Sequence, residues 1–407
     1  MRGKKEHPAE TEVERGGSLS PLTSHFSPPN DFAEIRRSEF PWTSDTTYLN
    51  NASIGPLPER TRLVLEEFNR KRAAPYQLPD RELFAGMAES RRLTAQLIGA
   101  SAEEIGLTIN TGFGLSLAAR ALPLESGDIV LTSDREFPAN VYPWMLLKDS
   151  GITLELTPTT ADGWPDEDRL LERLRDPRVR VLAISLVQFS NGYTVDLGRL
   201  SAATREAGAY LVVDAIQAVG QVPIDLRKTP VDVLACGGQK WLLSPWGSGF
   251  VYVRRELIRE LRPAVTGWMA FEGTDDFTRL TQYDDRLRGD ARRFELITLP
   301  YQDFAGMNAS VRMLLDAGIQ GIAEHLQTLH VPILEWAARS GVRVVSPVDH
   351  HGSGIVCVMP GDVGGAFRSL KAARVICGMR EGAIRLSPHL YNTLAEMERV
   401  VDILEQA

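Results

Sequence analysis

Residues 236–254 read CGGQKWLLSPWGSGFVYVR. One lysine, Lys240, stands there with glycines before and after it, two tryptophans following, and the apolar run GFVYV (249–253) closing the segment. A solvated lysine, the usual state of this residue, needs no such surroundings. The closing run is β-branched and of strand length. The segment therefore reads as a lysine in a glycine-bearing turn ahead of a buried strand.

Working outward, DIVLT (128–132), ITLEL (152–156), VLAISLV (181–187) and YLVVD (210–214) share that strand character. Amphipathic stretches such as LGRLSAATREAG (197–208) lie between them, and TRLVLEEFNRKR (61–72) and SRRLTAQLIG (90–99) have helical periodicity. Strands alternating with helices imply crossover units and a mainly parallel sheet covered on both faces. Near-continuous apolar runs are what doubly covered strands require. From about residue 291 the rhythm changes. AGMNASVRMLLDAGI (305–319) is helical, VRVVSP, GIVCVMP and AIRLSP are strand-like, and TLAEMERVVDILEQ opens on a capping box formed by Thr393 and Glu396. The expected fold class is α/β. A large domain over 46–290 carries the mainly parallel sheet, and a smaller α+β domain spans 291–407, with residues 31–45 packing on it. Residues 1–30 read as a polar, Pro/Ser/Gly-rich flexible arm.

The chain has 407 residues, 43% of them hydrophobic, which suits two domains with a large core. A formal charge of -8 gives no electrostatic case for nucleic acid or an anionic membrane. No apolar run reaches the roughly 18 to 20 residues of a membrane span, and the first residues lack the apolar core of a secretory signal. The three cysteines, Cys236, Cys357 and Cys377, form neither a disulfide framework nor a paired metal motif. A reducing, cytoplasmic setting is expected, with no metal.

Two further segments carry chemistry. INTGFGLSLAARAL (109–122) is a glycine-bearing turn entering a helix, where free N–H groups and the helix dipole favour an anion. Gly112 and Gly114 would let a phosphate approach, although an ordinary Asn/Thr cap reads the same way. YLVVDAIQAVG (210–220) puts Asp214 at the carboxyl end of a buried strand, where ligands bind in doubly wound sheets. Lys240 follows Asp214 by 26 residues, room for one helix and the next strand. A lysine, a carboxylate and a phosphate cradle together suit pyridoxal phosphate: an amine for its aldehyde, a negative partner for its ring nitrogen, a helix terminus for its phosphate.

Here the sequence resembles the class V aminotransferase family of fold-type I pyridoxal-phosphate enzymes. That family includes cysteine desulfurases, kynureninases, carbon–sulfur lyases and isopenicillin N epimerases. The resemblance rests on TYLNNASIGPLP, NTGFG, REFPANVYPW, SLVQFSNG, VVDAIQAVG, GGQKWLLSPWGSGF, RRFELITLP and AIRLSPHLYNT, in that order. It implies Lys240 as the Schiff-base lysine and proton shuttle, Asp214 as partner of the ring nitrogen, and Gln217 as donor to the ring's phenolic oxygen. It implies Thr111, Gly112, Phe113 and Gln239 at the phosphate, and Thr298 reaching the phosphate of a second subunit, hence a homodimer with shared active sites. Arg385 would grip the substrate carboxylate, with Asn51 and Phe189 also at the substrate.

Departures from the family pattern narrow the chemistry. Where desulfurases stack a histidine on the ring, this chain has Phe137, which can stack but cannot move a proton. Their asparagine is matched by Phe189. Their persulfide loop matches VICGMREGAIR, in which Cys377 is displaced by a few residues and reads as a buried structural thiol. Cysteine desulfuration is therefore disfavoured. His389 reads as structural or site-lining, and Tyr142 and Gly267–Trp268 as pocket or core. The expected activity is amino-group transfer from a small amino-acid substrate joined to the cofactor as an imine, with β-elimination or epimerisation as alternatives. A non-catalytic binding module is disfavoured because Lys240, Asp214 and Arg385 are all present.

Overall fold

The structure is a computed structural model describing residues 32–407; the arm expected over 1–30 lies outside the described residues. In chain order the strands are β1 (Thr47–Leu49), β2 (Ile105–Thr108), β3 (Ile129–Ser133), β4 (Thr153–Thr157), β5 (Val179–Ser185), β6 (Tyr210–Asp214), β7 (Val233–Gly237), β8 (Gly249–Val253), β9 (Arg343–Val344), β10 (Val356–Met359), β11 (Val375–Arg380) and β12 (Ala383–Leu386). They form a seven-stranded sheet in the order β2-β8-β7-β6-β5-β3-β4 and a five-stranded sheet in the order β1-β11-β12-β10-β9.

In the large sheet β4, β3, β5, β6 and β7 run parallel, and β8 is antiparallel to both its neighbours. Every residue of β7 and β8 is buried. That follows from VLACG and GFVYV, which offer no charged or amide side chain for solvent on either face and only the Tyr252 hydroxyl. The helix Thr111–Ala121 lies close on this sheet. A Cβ on Gly114 would come within 2.8 Å of the Ala235 Cβ. Gly114 thus serves helix-to-sheet contact rather than the approach of a phosphate, which corrects the reading of that glycine.

A second correction concerns the link from Asp214 to Lys240. No helix lies there; residues 215–232 run as turns. Pro223 and Pro230 lack the N–H a helix needs, and Gly220 has φ 104°. A Cβ on Gly220 would come within 2.4 Å of the Trp241 carbonyl, so this turn is pressed against the lysine segment. Separate turns form after Asp214: the N–H groups of Ala218 and Val219 donate to the Ala215 carbonyl, those of Gln221 and Val222 to the Ala218 carbonyl, and those of Lys228 and Thr229 to the Asp225 carbonyl.

The small sheet draws on both ends of the chain. β1 pairs in parallel with β11, matching Leu49 to Cys377. The helices Ile319–Ser340 and Leu394–Glu405 pack together beside it, while Tyr301–Ala317 packs on Glu59–Arg72 and Asp80–Ile98. The helix Phe32–Glu39 is tied to the last helix by Arg36, whose Nη1 and Nη2 each donate to the Glu396 carboxylate at 3.0 Å. Thr393 and Glu396 form the capping box of that last helix. No described helix is long and apolar enough to cross a membrane.

Candidate active site

β7 ends at Gly237, and the chain turns back through Lys240 to enter β8 at Gly249. The Gly238 N–H donates to the Ser248 carbonyl at 2.8 Å and closes this turn. Three other segments clamp it. The Gly55 N–H donates to the Gln239 carbonyl at 2.8 Å. A Cβ on Gly55 would come within 2.1 Å of the Lys240 carbonyl, so only glycine admits that approach. Trp241, wholly buried, donates its indole N–H to Gln217 Oε1 at 2.8 Å. His389 Nε2 donates to the Trp241 carbonyl at 3.1 Å, while Nδ1 accepts the Leu390 N–H. That makes His389 a neutral structural imidazole, and burial pulls its pKa down to about 4.

The Lys240 side chain projects from this held backbone towards Phe137, with Nζ 5.5 Å from the ring centroid. Among the described residues Nζ has no hydrogen-bond or ion-pair partner. Burial pulls its pKa down to about 8, against the charge of Asp214 and with help from Arg385 and Arg380. Phe137 packs edge-on against Phe189, with centroids 5.3 Å apart.

Asp214 is 2% exposed at the end of β6, between Ser185 on β5 and Ala235 on β7. Its Oδ1 accepts the Ile216 N–H at 3.0 Å, and no cation is bonded to it. Burial raises its pKa to about 6; Glu136 adds to the rise, while the Ile216 N–H and Lys240 oppose it. Gln217 is committed at both ends, since its Nε2 donates to the Ala52 carbonyl at 3.0 Å. One amide hydrogen remains for a ligand.

The helix Thr111–Ala121 begins at the same end of the sheet. Asn110 caps it, accepting the Phe113 N–H at 2.8 Å. That leaves the Thr111 and Gly112 N–H groups for an anion. Thr111 Oγ1 accepts the Gly237 N–H at 2.8 Å and so joins the helix start to the lysine turn. Gln239 sits in that turn. A Cβ on Gly112 would meet only Asn110 Oδ1, at 3.5 Å, so the approach is open.

Arg385, on β12, is 1% exposed. Its Nη1 donates to the Phe189 carbonyl and its Nη2 to Ser53 Oγ, both at 2.7 Å, and its Nε has no partner. Arg380 Nη2 also reaches Ser53 Oγ, at 3.2 Å. No carboxylate meets either guanidinium. Burial and the charge of Arg380 pull the Arg385 pKa down to about 10. Gly378 lies beside the guanidinium, where a Cβ would make ordinary contact with its Nε at 3.5 Å and a tight one with Asn50 Oδ1 at 3.0 Å. Asn51 is fully buried nearby; its Oδ1 accepts the Tyr391 hydroxyl at 3.2 Å and its Nδ2 is unpaired.

Other expected residues fall elsewhere. Thr298 is exposed on the surface of the single chain. Tyr142 is 61% exposed, and Gly267 packs against the Glu295 carbonyl. Cys377 is buried on β11, and burial pushes its thiol up to about 12. The β11–β12 hairpin turns at Glu381 and Gly382, both at positive φ, and carries no cysteine at its tip. Sequence reasoning missed Ser53, Arg380 and Glu136. Ser53 and Glu136 lay inside quoted motifs next to residues of stronger chemical character, and nothing local marked Glu136 as buried or Ser53 as a partner of Arg385.

An amine, a carboxylate and a guanidinium, those of Lys240, Asp214 and Arg385, thus stand without an ion-pair or hydrogen-bonded countercharge, beside a helix start open to an anion. They fit pyridoxal phosphate and the carboxylate of an amino acid. A fold-type I enzyme is the class this fold and site define. Residues 47–400 match the family model for aminotransferase class-V, and the chain belongs to that family. It is 29% identical over 313 residues to the uncharacterized aminotransferase YcbU of Bacillus subtilis, covering 77% of this chain and 81% of that one. It is 31% identical over 333 residues to a probable cysteine desulfurase of Mycobacterium leprae, covering 75% and 77%. The fold is that of the cysteine desulfurase from Thermococcus onnurineus NA1, with a TM-score of 0.82 at 23% identity, covering 92% of this chain and 97% of that one. The cofactor is pyridoxal phosphate, which the family and the charges of the site agree on.

Proposed function

We propose that this protein moves the amino group of an amino acid to a 2-oxo acid. The bound cofactor supplies an aldehyde for the amine and an electron sink for the charge left at Cα. Lys240 would hold that aldehyde at rest, and Asp214 would face the ring nitrogen. The Thr111 and Gly112 N–H groups, with Gln239, would hold the phosphate. The Arg385 guanidinium would take the substrate carboxylate, with Ser53 and the Phe189 carbonyl orienting it.

The observation that carries the reading is the isolation of Lys240 as proton carrier. Its pKa of about 8 suits a base near neutral pH. Phe137, whose ring faces the amine, has no proton to give. His389 is held by backbone on both nitrogens, and the Cys377 thiol stays protonated. One base that would take a proton from Cα and deliver it, on the same side, to the carbon of the cofactor's former aldehyde suits amino transfer. Epimerisation needs a second carrier on the opposite side, and desulfuration needs a reactive thiol. β-Elimination also needs only one base and is the second reading.

The experiment is a screen of amino acids with and without 2-oxo acids, read by product analysis. Appearance of a new amino acid only when the 2-oxo acid is present supports the proposal. Pyruvate and ammonia formed without an acceptor would replace it with lyase chemistry, and inversion at Cα with epimerisation.

A further inference from the structure

Glu136 is a buried carboxylate that none of the roles above uses. It is 6% exposed, and no cation is bonded to it. Its Oε1 accepts the Ser185 N–H at 2.9 Å and the Gln188 amide at 2.6 Å. Its Oε2 accepts the Ser185 hydroxyl at 2.5 Å and the Asn140 amide at 3.2 Å. Four donors suit the ionised form, because a carboxylate only accepts. Burial works the other way and raises its pKa, and those donors resist the rise.

The sheet decides what this carboxylate faces. Ser185 on β5 is the register partner of Asp214 on β6. Partners on neighbouring strands project from the same face, with strands about 4.8 Å apart. Ser185 is therefore the spacer between two carboxyl groups. Few charges share this neighbourhood. Lys240, from the turn after β7, acts on Asp214 directly. The Cys236 thiol on β7 feels both of them and stays neutral through burial. Arg385 and Arg380 approach from the small sheet and act on Lys240.

We propose that Glu136 is a positioning residue of the cofactor site: Ser185 holds its carboxylate one strand from Asp214, where it is a second negative charge keeping the proton on the ring nitrogen. The inference rests on the reading of Asp214 as that nitrogen's partner. Asp214 alone would share its field with the Lys240 amine and the two arginines. A second anion behind it restores the balance towards a protonated ring. Glu136 also precedes Phe137, so the same donors seat the loop whose ring faces Lys240.

The test uses the holoenzyme loaded with pyridoxal phosphate labelled with ¹⁵N in its ring, following the nitrogen shift against pH. In Glu136→Gln the midpoint for loss of the ring proton falls by about one pH unit, roughly tenfold in proton affinity. Glu136→Asp, which keeps the charge, moves the midpoint back towards wild type. Asp214→Asn lowers it further than either. An unchanged midpoint in Glu136→Gln beside a lowered one in Asp214→Asn overturns the role of Glu136 alone. An unchanged midpoint in Asp214→Asn overturns the reading of Asp214 beneath it. Should Glu136→Gln fail to fold, Ser185→Ala removes the hydroxyl donor while leaving the backbone N–H. A smaller fall is then expected, and a wild-type midpoint counts against the proposal.

Discussion

A lysine amine becomes a nucleophile only when it loses its proton, and Lys240 is placed to lose it early. Burial costs the ammonium more than Asp214 returns, which brings the pKa to about 8. The cofactor-free protein should therefore capture an aldehyde at a rate that rises with pH and reaches half its plateau near pH 8. Stopped-flow absorbance would measure it, and a midpoint near 10.5 would mean an amine exposed to water. In Lys240→Ala, borohydride should fix no cofactor to the chain. Arg385 makes the other residue-scale prediction. Arg385→Lys keeps the charge and loses the fork that meets Ser53, the Phe189 carbonyl and a substrate carboxylate together. Losing a charge-assisted bond of about 2 kcal/mol should lower kcat/KM roughly 30-fold. The loss should fall mainly on KM, and steady-state kinetics with unchanged KM would argue against carboxylate binding. Lys240, Asp214 and Arg385 were legible because each is a charged residue in an apolar or glycine-rich segment of ordered motifs. Glu136 was not. A glutamate after an arginine is an ordinary surface pattern, and its burial arises only when the loop after β3 folds onto β5.

At the scale of elements, the strands of the large sheet were readable because burial on both faces leaves them almost continuously apolar. The link after Asp214 was misread as a helix, since spacing counts residues and takes no account of Gly220, Pro223 and Pro230. The pairing of β1 with β11 is equally silent in the sequence, because it joins segments more than 300 residues apart. Close approach between such segments depends on single atoms. Gly55→Ala would drive a Cβ to 2.1 Å from the Lys240 carbonyl, against backbone that cannot yield cheaply. Overpacking of this kind costs roughly 1–3 kcal/mol or more. We expect a lower Tm together with a lower share of bound cofactor, measured by thermal melting and by absorbance. Gly86→Ala is the control. It lies inside the helix Asp80–Ile98 with nothing within 4 Å of the new Cβ, and should raise stability by about 1 kcal/mol. A Gly55→Ala protein with normal Tm and full cofactor would show that the contact can relax.

The molecule as a whole leaves apolar surface beside the site. Trp246 in the lysine turn is 71% exposed, Trp268 44% and Tyr283 91%. Trp268, Phe271, Leu280 and Tyr283 line a cleft of about 460 Å³. Large exposed aromatics gathered this way mark an interaction surface, and Gly267, which precedes Trp268, lies against Glu295 and Ile297 next to Thr298, which favours a second copy of the chain. A homodimer in which Thr298 of each copy serves the other's phosphate would use this face. The Thr111 and Gly112 N–H groups are left open to an anion, and a hydroxyl from a second copy would add a further donor. The arrangement makes a prediction that neither chain's own site can imitate. Lys240→Ala has no amine, and Thr298→Glu would place a negative charge against the partner's phosphate. Each variant alone should be nearly inactive. Mixed under conditions that exchange subunits, they should regain activity: one site of the hybrid pairs the intact Lys240 of one copy with the intact Thr298 of the other. Random exchange of equal amounts forms hybrids as half of the dimers, each with one good site, which gives about a quarter of wild-type activity per site. Size-exclusion chromatography with activity assays would measure it. A fully active monomer, or mixtures that stay as inactive as their parents after proven exchange, would place Thr298 outside the shared site.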